Sequence, residues 1–190
     1  MPPKCKFSKE EIVKAALKIV QTNGLDALTA RALGESLNSS PRPIFTVFSG
    51  MDEVQSEVKA AAKRLYESYQ DESMKCEKAF MGSGLGYIKF AAEQPKLFQL
   101  LFMQEQEADP ANILNAIDDY YEKILSSVEK EYGFTREVAK SVYMHLWIYS
   151  HGIAVLTATK VCAFSEEEIR QMLFEVGGAI IRKYRAEGKL

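Results

Sequence analysis

Apolar residues recur along this chain at intervals of three and four, and the polar residues that interrupt them are of the kinds that start and stop helices. Ile12, Val13, Ala16, Leu17, Ile19 and Val20 share one helical face between a capping box, Ser8 with Glu11, and a left-handed stop, Asn23-Gly24. A first helix is predicted over residues 8–23. Thr29 caps a second, with Ala32, Leu33 and Leu37 on one face, and Asn38-Ser39-Ser40 is too polar to continue it. Ser40 then caps a third helix, because the prolines of Ser40-Pro41-Arg42-Pro43 fit only in a first turn, where backbone N–H groups have no intrahelical partner to lose. That helix is predicted to begin at Pro41, to turn Ile44 and Val47 or Phe48 inward, and to leave Arg42, Phe45 and Thr46 outward. Ser49-x-x-Asp52 starts a fourth, longer helix that runs through Ala60-Ala61-Ala62 toward Met74 and links two domains. Gln94-Pro95, Asp109-Pro110, Thr135 and Ser165-x-x-Glu168 each put a capping or first-turn residue ahead of a periodic apolar segment. No segment alternates convincingly as a strand, so the fold class is all-α with roughly nine helices.

Two short helices joined by a tight turn, followed by another helix start, form a unit that lays a helix in the major groove of DNA. The exposed face between Pro41 and Val47 is short and carries one cation and one aromatic ring. These residues resemble the tetracycline-repressor (TetR) family of bacterial transcriptional regulators, whose head reads Thr-x-Arg-x-(apolar)-x-x-x-Leu-x-x-Ser-x-x-x-(apolar)-aromatic-x-x-Phe. Thr29, Arg31, Leu33, Leu37, Ser40, Ile44, Phe45 and Phe48 match it without a gap. The chain departs from the family at Phe45, where Tyr is common, at Val47, where His is common, and at Met51, where Lys often begins the next helix. A second resemblance, Trp147-x-x-x-His151-Gly152 after Pro95-x-Leu97-Phe98-x-Leu100-x-Phe102, is to the family's C-terminal domain class with a Trp…His-Gly signature.

The resemblance implies a helix-turn-helix DNA-binding domain over residues 1–50 and a ligand-binding and dimerisation domain over residues 51–190. It implies a homodimer, most often a ligand-responsive repressor, whose partners are a double-stranded DNA operator and a small-molecule effector, with no cofactor. In that frame Thr29 and Ser40 bring helix-start N–H groups to phosphates, while Arg31, Pro41, Arg42, Phe45 and Thr46 complete the DNA-facing set. Arg42 would read a guanine edge or a phosphate, Thr46 a base edge or methyl, and Phe45 a sugar or thymine methyl.

Charge sharpens the division. Residues 1–48 hold seven Lys or Arg against four acids, a net +3, and the rest holds 17 against 22, a net −5, as expected of a DNA reader with a regulatory body. The 190 residues, 47% hydrophobic and 26% charged, suit one small and one medium helical domain. The longest apolar run, Ile153 to Leu156, is far short of a bilayer span, and Met1-Pro2-Pro3-Lys4-Cys5-Lys6 lacks the apolar core of a signal peptide, so a cytoplasmic protein without membrane partners is expected. Cys5, Cys76 and Cys162 are widely separated and odd in number, which fits reduced thiols.

Catalytic chemistry finds little support. Neither His145 nor His151 has an acid three or four residues before it, so neither a di-iron bundle nor another metal site is expected. Asp118-Asp119 and Glu166-Glu167-Glu168 read as solvated surface or a helix N-terminus. Gly82-Ser83-Gly84-Leu85-Gly86 follows no strand and lacks a lysine, so it reads as a helix kink or break rather than a phosphate loop. The middle of the chain is dense in aromatic and flexible residues, most of them core at helical spacing. Tyr87, Phe98, Phe102, Tyr120, Met144, Trp147 and His151 also have the mixed character of a ligand pocket. For His151, ligand contact and a satisfied core histidine both stand. The last helix carries Ile169, Met172, Leu173, Val176, Ile180, Ile181 and Tyr184 as one stripe, with Gly177 and Gly178 allowing close approach. Beside the family's four-helix interface it reads as a dimer surface through Ile169, Met172, Leu173, Val176, Gly177 and Ile180; on periodicity alone an internal core helix fits as well. From a different class, a helical small-molecule binding protein or enzyme with a degenerate DNA-binding head would share these features.

Overall fold

The structure, a computed structural model, describes residues 6–76, 78–105 and 120–188. Within them lie eight α-helices and no strand: α1 Lys9–Asn23, α2 Ala30–Ser36, α3 Met51–Ser73, α4 Ala79–Glu93, α5 Pro95–Phe102, α6 Tyr121–Tyr132, α7 Arg136–Ala158 and α8 Glu166–Ala186. The all-α reading holds. The expected start at Asp109-Pro110, and Asp118-Asp119, lie outside the described residues.

The caps at Ser8 and Ser165 are those the sequence names, whereas Thr135 precedes α7 without a side-chain cap bond. Ser8 Oγ accepts from the Glu11 N–H and the Glu11 carboxylate from the Ser8 N–H, and Ser165 and Glu168 repeat the box at α8. Both groups of the Ser165 cap hold the Glu168 carboxyl below its ordinary pKa. At the start of α3 the partner of Ser49 is Glu53, not Asp52: its carboxylate accepts from both the Ser49 N–H and hydroxyl at 2.8 Å.

The chain forms two compact units, Met1–Leu65 with Gln94–Gln104, and Tyr66–Glu93 with Glu105–Leu190. In the first, Ile12, Ala16, Val20, Leu33, Ile44, Phe48, Val54 and Val58 are buried. This unit extends past residue 50, because α5 returns to pack on α1 and the Gln21 amide donates to Gln94 Oε1 at 3.2 Å. Phe98 and Phe102 belong to it and lie ring against ring at 5.3 Å.

In the second unit α4, α6 and α8 pack on α7 around Phe80, Ile124, Leu125, Val128, Val142 and Tyr143. The glycine run 82–86 does not break α4, which is one helix from Ala79 to Glu93. Its glycines serve close approach instead: a Cβ on Gly82 would stand 2.1 Å from the Ser73 carbonyl oxygen, and one on Gly86 2.8 Å from Ser73 Oγ. The stripe of α8 is also corrected. Ile169, Leu173 and Gly177 are buried by the chain's own helices, and Ile180 packs on the unit's core, so most of the face assigned to a partner is used internally. A Cβ on Gly177 would meet only Leu146 of α7, at 3.5 Å.

Candidate nucleic-acid interface and ligand cavity

Thr29 Oγ1 accepts the Ala32 N–H at 3.1 Å and starts α2. Arg31 is held along the helix by Glu35, Nε to Oε1 2.9 Å, so its charge stands paired on an exposed face. The helix ends in a Schellman motif: Ser39 N–H donates to the Gly34 carbonyl at 2.9 Å and Asn38 N–H to that of Glu35 at 3.0 Å. Asn38 takes the left-handed conformation there, φ 49°. The turn then folds back so tightly that a Cβ on Gly34 would stand 3.0 Å from Pro41 N and from the Ser39 carbonyl oxygen.

Beyond this turn the chain does not form the α-helix expected from Pro41. The structure has a single 3-10 turn, Ile44–Thr46, and Ser40 makes no side-chain cap. Pro41 and Pro43 remove two N–H donors, and the Thr46 hydroxyl binds the Pro43 carbonyl at 2.6 Å, a side-chain bond that competes with helix extension. The segment is nevertheless pinned. Ile44 and Phe48 are buried, and Ile44 N–H donates to the Pro41 carbonyl at 3.0 Å.

The outward residues are those the pattern selects. Ser40, Arg42, Phe45 and Thr46 are exposed, Pro41 is half-buried, and Phe45 keeps 46% of its surface in solvent. Arg42 has no ion-pair or hydrogen-bond partner among the described residues. A cation the sequence pattern does not single out joins them: Lys6 Nζ donates to Ser39 Oγ at 3.0 Å, beside the turn. Only its place in a basic N-terminal arm hinted at it.

The second unit holds a cavity of about 240 Å³. Tyr87 and Trp147 are among the residues that line it. His151 stands directly behind them, its Nδ1 2.8 Å from the Tyr87 hydroxyl and its ring stacked on Trp147 at 5.0 Å. Burial pushes its pKa below the ordinary 6.5. The other expected pocket residues lie elsewhere. Phe98 and Phe102 belong to the first unit, the Tyr120 hydroxyl donates to the Glu67 carbonyl at 3.3 Å, and Met144 packs against the α6–α7 core.

Sequence reasoning missed Tyr66, Gln70, Lys78, Arg182 and Arg185, which also line the cavity. One signal was present. Val54, Val58, Ala62, Tyr66 and Gln70 repeat every four residues along α3, and a glutamine at the end of such a stripe is a polar group at a buried position.

Two comparisons bear on this arrangement. A family model described as "Tetracyclin repressor-like, C-terminal domain" matches residues 80–177. The chain is also 21% identical over 179 residues, 93% of its length and 92% of the relative's, to a Bacillus subtilis (strain 168) protein named "Uncharacterized HTH-type transcriptional regulator YobS".

Proposed function

The chain belongs to the tetracyclin repressor-like family of DNA-binding transcriptional regulators, and from that premise we propose that it acts as a homodimeric, ligand-responsive repressor in the cytoplasm. One observation carries the DNA-binding half of this reading. A backbone-closed turn, anchored by Ile44 and Phe48, holds unpaired Arg42 and exposed Phe45 outward on a surface that neighbouring Lys6 makes more basic. In the proposal Arg42, Phe45 and Thr46 enter the major groove, while Thr29, Arg31, Ser40 and Pro41 approach the backbone. Because Arg31 is paired with Glu35, phosphate contact there requires exchange of that exposed ion pair.

The test uses an operator recovered from genomic DNA. Arg42→Ala should cost about 1–3 kcal/mol and relax preference at one base pair if it reads a base; phosphate contact alone would give uniform weakening and a salt slope smaller by about one. Phe45→Ala should weaken binding with little change in salt slope. If neither substitution alters operator binding, the recognition surface is misplaced.

The effector half rests on the cavity, most of whose lining lies within residues 80–177, the stretch that matches the family's C-terminal domain, with Tyr66, Gln70 and Lys78 before it and Arg182 and Arg185 after it. Dimerisation is supported by apolar groups left in solvent on α7: Ile148, 57% exposed, and Leu156, two turns on with Gly152 between them. Met172 and Val176 of α8 are only half-buried as well. Ile148→Glu with Leu156→Glu should convert a two-fold dimer to monomers in analytical ultracentrifugation. A native protein that sediments as a monomer at micromolar concentration sinks the dimer.

A further inference from the structure

The cavity is lined by three cations, Lys78, Arg182 and Arg185, and by no carboxylate among the described residues, although the chain as a whole is acidic. None of the three has an ion-pair partner among the described residues. Two further lining residues carry buried polar atoms without a partner, Gln70 Oε1 and Trp147 Nε1. Gln70 is 1% exposed, and its amide nitrogen is committed to the Ser83 carbonyl at 3.2 Å. That carbonyl can only accept, so the free atom of Gln70 is the oxygen, an acceptor. The free atom of Trp147 is a donor. Buried unsatisfied groups of this kind are rare, and each is costly until something bonds it.

Their places along the helices are ordered. Tyr66 and Tyr87 rings meet at 6.1 Å, and Tyr87 bonds His151, so these three mark one level of the unit. Gln70, Ser83 and Trp147 each stand four residues from them, one helical turn away. α4 and α7 run in the same sense, because Phe80, at the start of α4, bonds Glu131 and meets the Tyr132 ring at the end of α6, next to the start of α7. The Gln70–Ser83 pair and Trp147 therefore occupy the next level together. Lys78 precedes α4 at the far end, five residues or roughly 7–8 Å beyond Ser83. Arg185 stands at that same end, where neighbouring Tyr184 packs on Phe134 between α6 and α7, while the Arg182 guanidinium folds back beside Gly178 and the Lys78 ammonium stands over the Phe174 ring at 5.9 Å.

We propose that the cavity takes a hydroxyaryl carboxylate: a small aromatic acid whose hydroxyl donates to Gln70 Oε1 and accepts from Trp147 Nε1, and whose carboxylate meets Lys78, Arg182 and Arg185. This rests on reading the cavity as an effector site. In a hydroxyl a single oxygen donates and accepts at once, which suits an acceptor and a donor at one level of the cavity. Aromatic walls, among them Tyr66, Phe80 and Tyr132, suit a ring between the two ends. The volume sets the size: a cavity of ~150 Å³ holds benzene, so 240 Å³ holds about ten non-hydrogen atoms.

The test titrates the full-length protein with 4-hydroxyphenylacetate, phenylacetate, 4-hydroxyphenylacetamide and neutral 4-ethylphenol. Readouts are the fluorescence of the single Trp and the melting temperature. 4-Hydroxyphenylacetate should bind at least about tenfold tighter than either the acid lacking the hydroxyl or the uncharged amide. Arg182→Gln with Arg185→Gln should abolish the preference for acid over amide, and Gln70→Leu the preference for the hydroxyl. Equal binding of acid and amide overturns the anion assignment, and equal binding of 4-hydroxyphenylacetate and phenylacetate overturns the hydroxyl assignment. If 4-ethylphenol binds tightest, this inference fails while the effector cavity stands. If no compound binds, both fall.

Discussion

The two units treat their polar groups in opposite ways. In the first, buried polar groups are closed off: a Schellman motif ends α2, backbone bonds fix the turn after it, and the groups offered to a partner stand in solvent. In the second, the interior is left open. Among the described residues the buried side-chain atoms without partners, on Gln70, Glu131 and Trp147, all belong to it. A surface that reads an external partner gains from a finished scaffold, since ordering it at the moment of binding would subtract from affinity. An internal site requires the reverse. A void and orphaned groups lower stability, so a ligand that filled the proposed site would be tied to folding free energy.

That contrast breaks most visibly at Gly82. The openness of the second unit is local, because beside the cavity the α3 and α4 backbones meet too closely for any side chain. Gly82→Ala forces them apart and should destabilise by about 3 kcal/mol in urea unfolding. A loss below about 0.5 kcal/mol would show that this seam is soft. In the first unit the corresponding probe is milder. Asn38→Ala places a Cβ residue without a local side-chain bond in the left-handed region and should cost about 1 kcal/mol, whereas Asn38→Gly should be neutral or slightly stabilising. If the two behave alike, the turn does not depend on that conformation.

The smallest effect sharpens the second unit's side. His151 titrates below 6.5 in the folded chain because burial disfavours its charged form. Above about pH 7 it is neutral in both states and contributes no slope. As pH falls through 6.5 the unfolded chain takes up a proton that the folded chain resists, so stability drops until the lower folded pKa is passed. Urea midpoints between pH 7.5 and 5.5 should show that decline, and His151→Gln should flatten it. A ligand that packs against Trp147 and completes the burial of His151 should steepen it.

Much of this was legible in sequence because it is local. Capping boxes at Ser8 and Ser165, the cap at Thr29 and the proline start of α5 depend on neighbours within four residues. The segment after the turn was half legible: which residues face out is set by Ile44 and Phe48, but not that two prolines and the Thr46 hydroxyl would shorten a helix to one turn. What escaped was non-local. Glycines 82 and 86 look like a break until Ser73 is brought against them, and the α8 stripe looks like a dimer face until α7 covers it. Aromatic density named Tyr87 and Trp147 for the cavity and wrongly added Phe98 and Phe102, since composition does not say which unit a helix rejoins.

The return of α5 has a consequence for biosynthesis. Because the first unit is stitched from residues 1–65 and 94–104, a ribosome must translate the start of the second unit before the first can close. At roughly 5–20 residues per second, the stretch from 66 to 104 keeps the unfinished α1 surface waiting for about 2–8 s. During that interval the apolar face of α1 that α5 later covers stays open to solvent and to other chains.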